Sequence, residues 1–238
     1  MSKRAIILAG GKGTRLKPYT VSLPKPLVPV HELPILEIII RQLAQQGFNY
    51  VTITTNHLSE LIKAFFGDGS KWNIKIDYSL EEKPLSTMGP LTLIDNLPDN
   101  FLIMNGDVLT DLNFSSFLND HINNESIFTI SSFNRTVKSE YGVLNVNKNN
   151  ELVNFFEKPE QHVQVSMGVY AASKKILSLI PENTFFGFDH LMLSLIKNGQ
   201  LPKVKGFDGY WMDIGRPDDY QKASDDFESM KSKLLPDG

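Results

Sequence analysis

Residues 5–25 read AIILAGGKGTRLKPYTVSLPK, and the fold is decided by the way this stretch breaks. Ala5, Ile6, Ile7, Leu8 and Ala9 are apolar without alternation, the pattern of a parallel strand covered on both faces. Gly10, Gly11 and Gly13 follow at once. Lacking Cβ atoms, they let main-chain N–H groups approach a ligand and accept positive φ. Arg15 stands just beyond, and Lys25 is held in a Pro24-Lys25-Pro26 frame that stiffens the chain around it. A strand that runs into a glycine turn backed by two cations suits a polyphosphate at the rim of a doubly wound sheet. The plain alternative is a tight glycine turn with solvated cations.

Two familiar glycine motifs do not fit. A dinucleotide fingerprint wants a third glycine where Leu16 stands, and a P-loop wants Lys directly before Ser or Thr, whereas Lys12 precedes Gly13.

The 238 residues, 41% of them hydrophobic, can bury one substantial core, as a single domain with a subdomain elaboration. A net charge of −3 gives no general polyanion-binding surface, so nucleic acid is not an expected partner and any phosphate site must be local. There is no cysteine, hence no disulfide framework and no thiolate metal site, which suits the cytoplasm. The apolar run that ends at Ala9 is too short for a signal peptide or a membrane span, so no membrane association is expected.

Residues 34–47 open on proline, close on glycine and carry apolar residues at helical spacing, which predicts the first crossover helix. Residues 50–55 are β-branched and strand-like, and 59–66 predict a helix ended by Gly67. A third strand is expected at 74–79, a short helix from near Thr87, and a fourth strand at 101–104 running into Asn105-Gly106-Asp107. The second half has shorter helices and hairpin signals. Residues 143–146, a turn at 147–150 and residues 152–156 predict an antiparallel hairpin. Further elements are expected as a strand at 167–171, a helix at 174–180, a helix near 189–197, a strand at 203–207 and a last helix from 217 to about 233. The expected fold is α/β: a Rossmann-like doubly wound mixed sheet with a small antiparallel insertion in its second half.

Open α/β sheets bind ligands beyond the carboxyl ends of their strands, where strand order reverses. Asp107 follows an apolar strand and a glycine at such a rim. Asp213 follows the aromatic-rich Gly209-Tyr210-Trp211-Met212 and precedes Ile214-Gly215. Two carboxylates so placed can share one Mg²⁺, which is usually held by one or two carboxylates plus phosphate and water. Each alone reads equally well as an exposed turn aspartate.

The series Ala9-Gly10-Gly11-Lys12-Gly13-Thr14-Arg15-Leu16, Pro24-Lys25-Pro26-Leu27, Asn105-Gly106-Asp107, Tyr141-Gly142-Val143, Glu157-Lys158-Pro159, Gly168-Val169-Tyr170 and Trp211-Met212-Asp213-Ile214-Gly215 resembles the sugar-1-phosphate nucleotidyltransferases. The resemblance spans nearly the whole chain in the family's order. It implies a nucleotide-binding half at about 1–110 and a sugar-phosphate-binding half with the C-terminal helix at 111–238. It implies Mg²⁺ on Asp107 and Asp213, and a nucleoside triphosphate and a sugar 1-phosphate as substrates. Arg15 would hold the outgoing pyrophosphate and Lys25 the phosphates at the reacting centre. Leu8, Gly10, Gly11, Gly13, Thr14, Thr87, Gly89, Asn105 and Gly106 would complete the nucleotide site. Tyr141, Gly142, Glu157 and Gly168 would line the sugar and Lys158 would pair with its phosphate, although Glu157 and Lys158 also read as a solvated hairpin end. A homo-oligomer is compatible with the resemblance.

Departures mark the finer readings. Where many relatives read Leu-Gly-Thr-Ala-Gly-Pro-Leu, this chain has Leu85-Ser86-Thr87-Met88-Gly89-Pro90-Leu91, a frame that favours GTP. The Gly-Leu-Ala-Gln pattern of thymidylyltransferases is absent, which demotes dTTP. Ser166 stands where many relatives place Asn before the sugar-strand glycine, leaving the sugar's hydroxyl pattern unread. The regulatory domain of longer relatives is absent from the 238 residues, so acyl transfer and domain-borne allostery are not expected. A UTP-dependent enzyme, a cytidylyltransferase and a non-catalytic nucleotide-sugar-sensing relative are the competing readings. Retention of Arg15, Lys25, Asp107 and Asp213 favours catalysis over the last, and the sugar-side motifs disfavour the cytidylyltransferase.

Overall fold

The computed structural model describes residues 3–11, 13–56 and 58–235. Lys12 of the glycine loop lies outside them. Strand β1 (Arg4–Leu8) leads through the glycine loop and a cation-bearing segment to helix α1 (Ile35–Gln45). Strand β2 (Tyr50–Thr55), helix α2 (Ser59–Phe66) and strand β3 (Lys75–Leu80) follow. Next come β4 (Asn100–Asn105), the three-residue β5 (Val108–Thr110) and α3 (Phe114–Asn123). The second half contains β6 (Phe128–Lys138), the hairpin β7 (Val143–Val146) and β8 (Leu152–Phe156), and β9 (Glu160–Ser173). Helix α4 (Phe188–Lys197), β10 (Lys203–Phe207), β11 (Trp211–Asp213) and α5 (Pro217–Leu234) complete the chain.

The main sheet has seven strands in the order β10-β6-β9-β4-β1-β2-β3. β4, β1, β2 and β3 are mutually parallel, whereas β9 runs antiparallel to both β4 and β6. Both faces of the central strands are covered, as the unbroken apolar run of β1 requires. Ala5 and Ile7 enter the core beneath α1, α3 and α5, while Ile6 enters a second core with Phe101, Ile103, Leu191 and Leu195. Ile6 and Ile7 are fully buried, and each such side chain stabilises the fold by roughly 1.5–3 kcal/mol. Among the described residues no helix is long and apolar enough to cross a membrane.

Several elements differ from the sequence reading. The helix expected near Thr87 is a 3₁₀ turn, Gly89–Leu93, which does not run on into a longer helix, since Asn96 takes a left-handed φ of 54° and Pro98 follows it. Residues 174–179 likewise form a 3₁₀ helix. The strand expected at 167–171 is the inner part of the longer β9. Its outer residues pair with the exposed end of β6, and the register slips between Ser166 and Tyr170, where Gly168 takes φ 75°. Helix α3 and strand β6 have no counterpart in the sequence reading. α3 is capped by Asn113, whose side chain accepts from Ser116 N at 2.7 Å, a local signal that a closer reading would have found.

Candidate functional site

Strand order reverses between β1 and β4, since the chain builds β2 and β3 on one side of β1 and then returns to its other side. The two strands pair with Leu8 opposite Asn105, and Gly106 N donates to Leu8 O at 3.0 Å. The glycine loop and the Asn105-Gly106-Asp107 turn therefore leave the sheet side by side. A cleft of about 940 Å³ opens at this point. Leu8, Gly10, Gly11, Thr14, Asn105 and Asp107 line it from one side and Thr87 from the other. Gly89 is buried behind Thr87, its N–H donating to Phe186 O at 2.9 Å.

Gly13 makes the loop feasible. Its φ of 61° is left-handed, and a Cβ there would meet Thr20 Cγ2 at 2.9 Å and Lys25 Cβ at 3.2 Å. The glycine thus lets the loop close onto the segment that carries Lys25. Thr20 Oγ1 donates to Gly13 O at 2.7 Å and locks the two together. Lys25 starts a 3₁₀ turn, Lys25–Leu27, and its ammonium donates to Asp107 Oδ2. The other carboxylate oxygen, Asp107 Oδ1, is buried with no hydrogen-bond partner among the described residues.

Asp213 reaches the same place although 106 positions separate it from Asp107 (213 − 107). β11 pairs antiparallel with β5, setting Asp213 opposite Val108, and Ile214 N donates to Asp107 O at 3.0 Å. Burial raises the Asp213 carboxyl above the ordinary range, the Asp107 charge raises it further, and Lys25 and Arg15 pull the other way. Arg15, exposed on its 3₁₀ turn Thr14–Leu16, brings its guanidinium to 3.6 Å from the position a Gly215 Cβ would occupy. Two carboxylates and two cations thus share one rim. A buried carboxylate oxygen without a partner beside a second desolvated carboxylate is a donor pair that a hard divalent cation fits.

The sugar-side residues group differently. Gly142 lies against Phe155 and Glu157, with Glu157 Oε2 3.3 Å from a would-be Cβ, so the start of the hairpin and its far end meet. Gly168 sits against Asn105, whose amide nitrogen is 2.6 Å from the corresponding point, and Trp211 Nε1 donates to Met167 O at 3.0 Å. These contacts join the sheet end of β9 to the cleft. Tyr141 and Lys158 are exposed, and Lys158 takes a left-handed φ of 44°.

Sequence reasoning missed Asn56, Glu81 and Phe185, which also line the cleft. Asn56 Nδ2 donates to Gly10 O and so ties the end of β2 to the glycine loop. Glu81 follows β3 as Asp107 follows β4, and that position at a strand's carboxyl end was the available signal. Glu81 Oε2 accepts from Leu85 N at 3.1 Å, and burial raises its carboxyl above the ordinary range. Ser86 holds φ 66° at the cleft wall, a left-handed conformation that costs a non-glycine residue on the order of 1 kcal/mol. A second cleft, about 770 Å³, opens beside Arg4, Tyr50 and Asp77. Its Arg4 directs its donors to Thr52, Asp77 and the carbonyls of Asp95 and Asn96, which marks it as part of the scaffold.

Residues 4–230 match the family model described as nucleotidyl transferase. The chain is 31% identical over 229 residues to a mannose-1-phosphate guanylyltransferase of Mycobacterium tuberculosis, with 93% of this chain and 64% of that one covered. It is 30% identical over 240 residues to a UTP–glucose-1-phosphate uridylyltransferase of Synechocystis, with 92% and 62% covered. The chain thus spans just under two thirds of the length of these relatives. Among solved structures it resembles HddC from Yersinia pseudotuberculosis, at 28% identity and a TM-score of 0.73 over 94% of this chain and 99% of that one. The same protein has been crystallised with GMP-PN.

Proposed function

The chain belongs to the nucleotidyl transferase family, and on that premise we propose that it transfers a nucleotidyl group, from GTP by preference, to a sugar 1-phosphate with release of pyrophosphate. The observation that carries this reading is the convergence of Arg15, Lys25, Asp107 and Asp213 at the switch point of the sheet.

The reaction is an in-line attack by an oxygen of the sugar phosphate on the α-phosphorus of the triphosphate, forming one P–O bond as the bond to pyrophosphate breaks. That oxygen is already anionic at neutral pH, so a general base has little to add. The obstacle is the approach of two polyanions, and the protein contributes alignment and fixed positive charge. Arg15 takes the side of the leaving pyrophosphate, where its fork of donors matches phosphate oxygens. Lys25 supplies a point charge at the reacting centre, and Lys158 holds the sugar phosphate. Gly10, Gly11 and Gly13 present backbone to the nucleotide, while Gly142, Glu157 and Gly168 face the sugar. Asp107 and Asp213 would hold Mg²⁺, which when bound supplies further neutralisation of phosphate charge.

Preference for GTP is supported by Glu81. A carboxylate offers only acceptors, and among the common bases guanine alone sets two donor groups, N1–H and N2–H₂, side by side on its pairing edge. Uracil and thymine offer one donor between two carbonyls. The test is a matrix of five nucleoside triphosphates against several sugar 1-phosphates, read by pyrophosphate release. GTP is expected to lead, and Glu81→Gln, which trades one acceptor for a donor, should shift the preference toward UTP or dTTP. A clear preference of the unmodified protein for UTP or dTTP would overturn the GTP reading.

A further inference from the structure

Asp107 has two oxygens with opposite fates. Oδ2 is taken by the Lys25 ammonium, and Oδ1 is buried without a hydrogen-bond partner among the described residues. The contact is well shielded, with the Lys25 side chain 11% exposed and that of Asp107 20%. It is also held from behind. Pro24 and Pro26 flank Lys25, Val28 N closes the turn onto Lys25 O at 3.0 Å, and Gly13 lies against Lys25 Cβ. The backbone of Lys25 is therefore fixed, and what remains free to move is its four-carbon stem with the charge at its end.

Two carboxylates and two cations leave this rim near neutrality before any ligand arrives. A bare divalent cation would have to enter beside Lys25 and Arg15 and evict an ammonium whose other neighbouring carboxylate, Asp213, is one the cation itself would take. A nucleotide changes that balance, because its phosphates bring new anionic oxygens within range of the same flexible stem.

We infer that Lys25 is a placeholder on Asp107: its ammonium occupies the carboxylate in the nucleotide-free protein and hands it to the divalent cation only when triphosphate oxygens take the ammonium over. This rests on the reading of Asp107 as a cation ligand in the proposed reaction. The consequence is obligatory coupling, with the cation entering alongside the nucleotide. Lys25 thereby has a second task, keeping a lone cation from occupying the site in an unproductive state.

Mn²⁺ is the probe, with free ion counted by electron paramagnetic resonance and binding heats by titration calorimetry, with and without a non-hydrolysable GTP analogue, and with the Mn²⁺ that the analogue chelates in the absence of protein subtracted. The unmodified protein should bind Mn²⁺ weakly alone and tightly with the analogue. Lys25→Met keeps the stem and removes the charge, and it should bind Mn²⁺ alone on the order of ten-fold more tightly. Lys25→Arg keeps the charge and should remain weak. Adding Asp107→Asn to Lys25→Met should abolish the gain. Thermal melts of each variant establish that it is folded. If Lys25→Met binds Mn²⁺ alone no better than the unmodified protein, while Asp107→Asn abolishes nucleotide-dependent uptake, the placeholder role is wrong and the metal assignment stands. If Asp107→Asn leaves nucleotide-dependent uptake unchanged, the metal assignment fails and the placeholder with it.

Discussion

Gly10→Ala tests the base pocket from an unexpected direction. A Cβ at Gly10 would lie 2.5 Å from Glu81 Oε1 and 3.4 Å from its carboxyl carbon. Contacts below 3.0 Å do not persist, so one partner must move. Gly10 has no positive φ, which removes any backbone objection to alanine, and the crowding atom is the far end of a flexible side chain. The carboxylate is therefore expected to swing away, giving up the bond from Leu85 N at 3.1 Å, while the fold holds. If Glu81 accepts from the guanine edge, its displacement removes hydrogen bonds to a charged group worth about 1.5–3 kcal/mol. That corresponds to roughly a 10- to 150-fold loss of kcat/KM for GTP. Any turnover of UTP or dTTP should fall much less, because those bases have no donor pair to lose. Steady-state kinetics with each nucleotide at fixed sugar phosphate measures this, and a thermal melt checks the fold. An equal fall for all nucleotides would show damage to the loop itself, and an unchanged GTP profile would show that Glu81 does not read the base.

The cations should separate kinetically. Arg15→Ala is expected to act mainly on kcat, by on the order of 10²-fold or more, since negative charge grows on the leaving group as the bond breaks. Lys158→Ala should instead raise the sugar-phosphate KM more than the nucleotide KM, and a loss of nucleotide binding alone would refute its place on the sugar side. A third outcome concerns stability. His121 is buried, with Nδ1 2.8 Å from Thr129 Oγ1 and Nε2 unpartnered among the described residues, and burial pushes its pKa down from 6.5 to about 4. Between those values the unfolded chain binds a proton that the folded chain does not, so stability is complete above about pH 6.5 and is lost as pH falls toward 4. Urea unfolding at about pH 5 should give roughly 2 kcal/mol less than at about pH 7.5, with most of that slope missing in His121→Gln. An identical slope in the variant would clear His121 of the effect.

What could be read in advance follows from where the information lies. β1, its glycine loop, the two crossover helices and the hairpin are written in local patterns, because each must satisfy its own backbone within a few residues. α3 and β6 carry weaker patterns. α3 mixes Asn119, Asp120 and His121 into its period, and β6 beyond Phe133 is exposed, so neither helical nor strand alternation is enforced along its length. Asp107 and Asp213 were visible as rim carboxylates, but their meeting depends on the pairing of two three-residue strands that no short window would identify. Glu81 was hidden for a related reason. Its surroundings are Gly10 and Leu85, one of them more than 70 positions away, and only the parallel register of β1, β2 and β3 brings that loop beside it.

The pairing of β5 with β11 bears on how the protein is made. Residues 108–110 leave the ribosome more than a hundred positions before residues 211–213, their partners, and at typical rates of synthesis that interval lasts about 5–20 s. Through it, the glycine loop and Asp107 exist without Asp213, and β4 waits for β9, which is also still to be translated. The growing chain thus carries an unpaired sheet edge together with a rim that still lacks Asp213. Contacts this distant in sequence favour slow, late assembly, so the rim that joins Asp107 to Asp213 is complete only after residues 211–213 have been made.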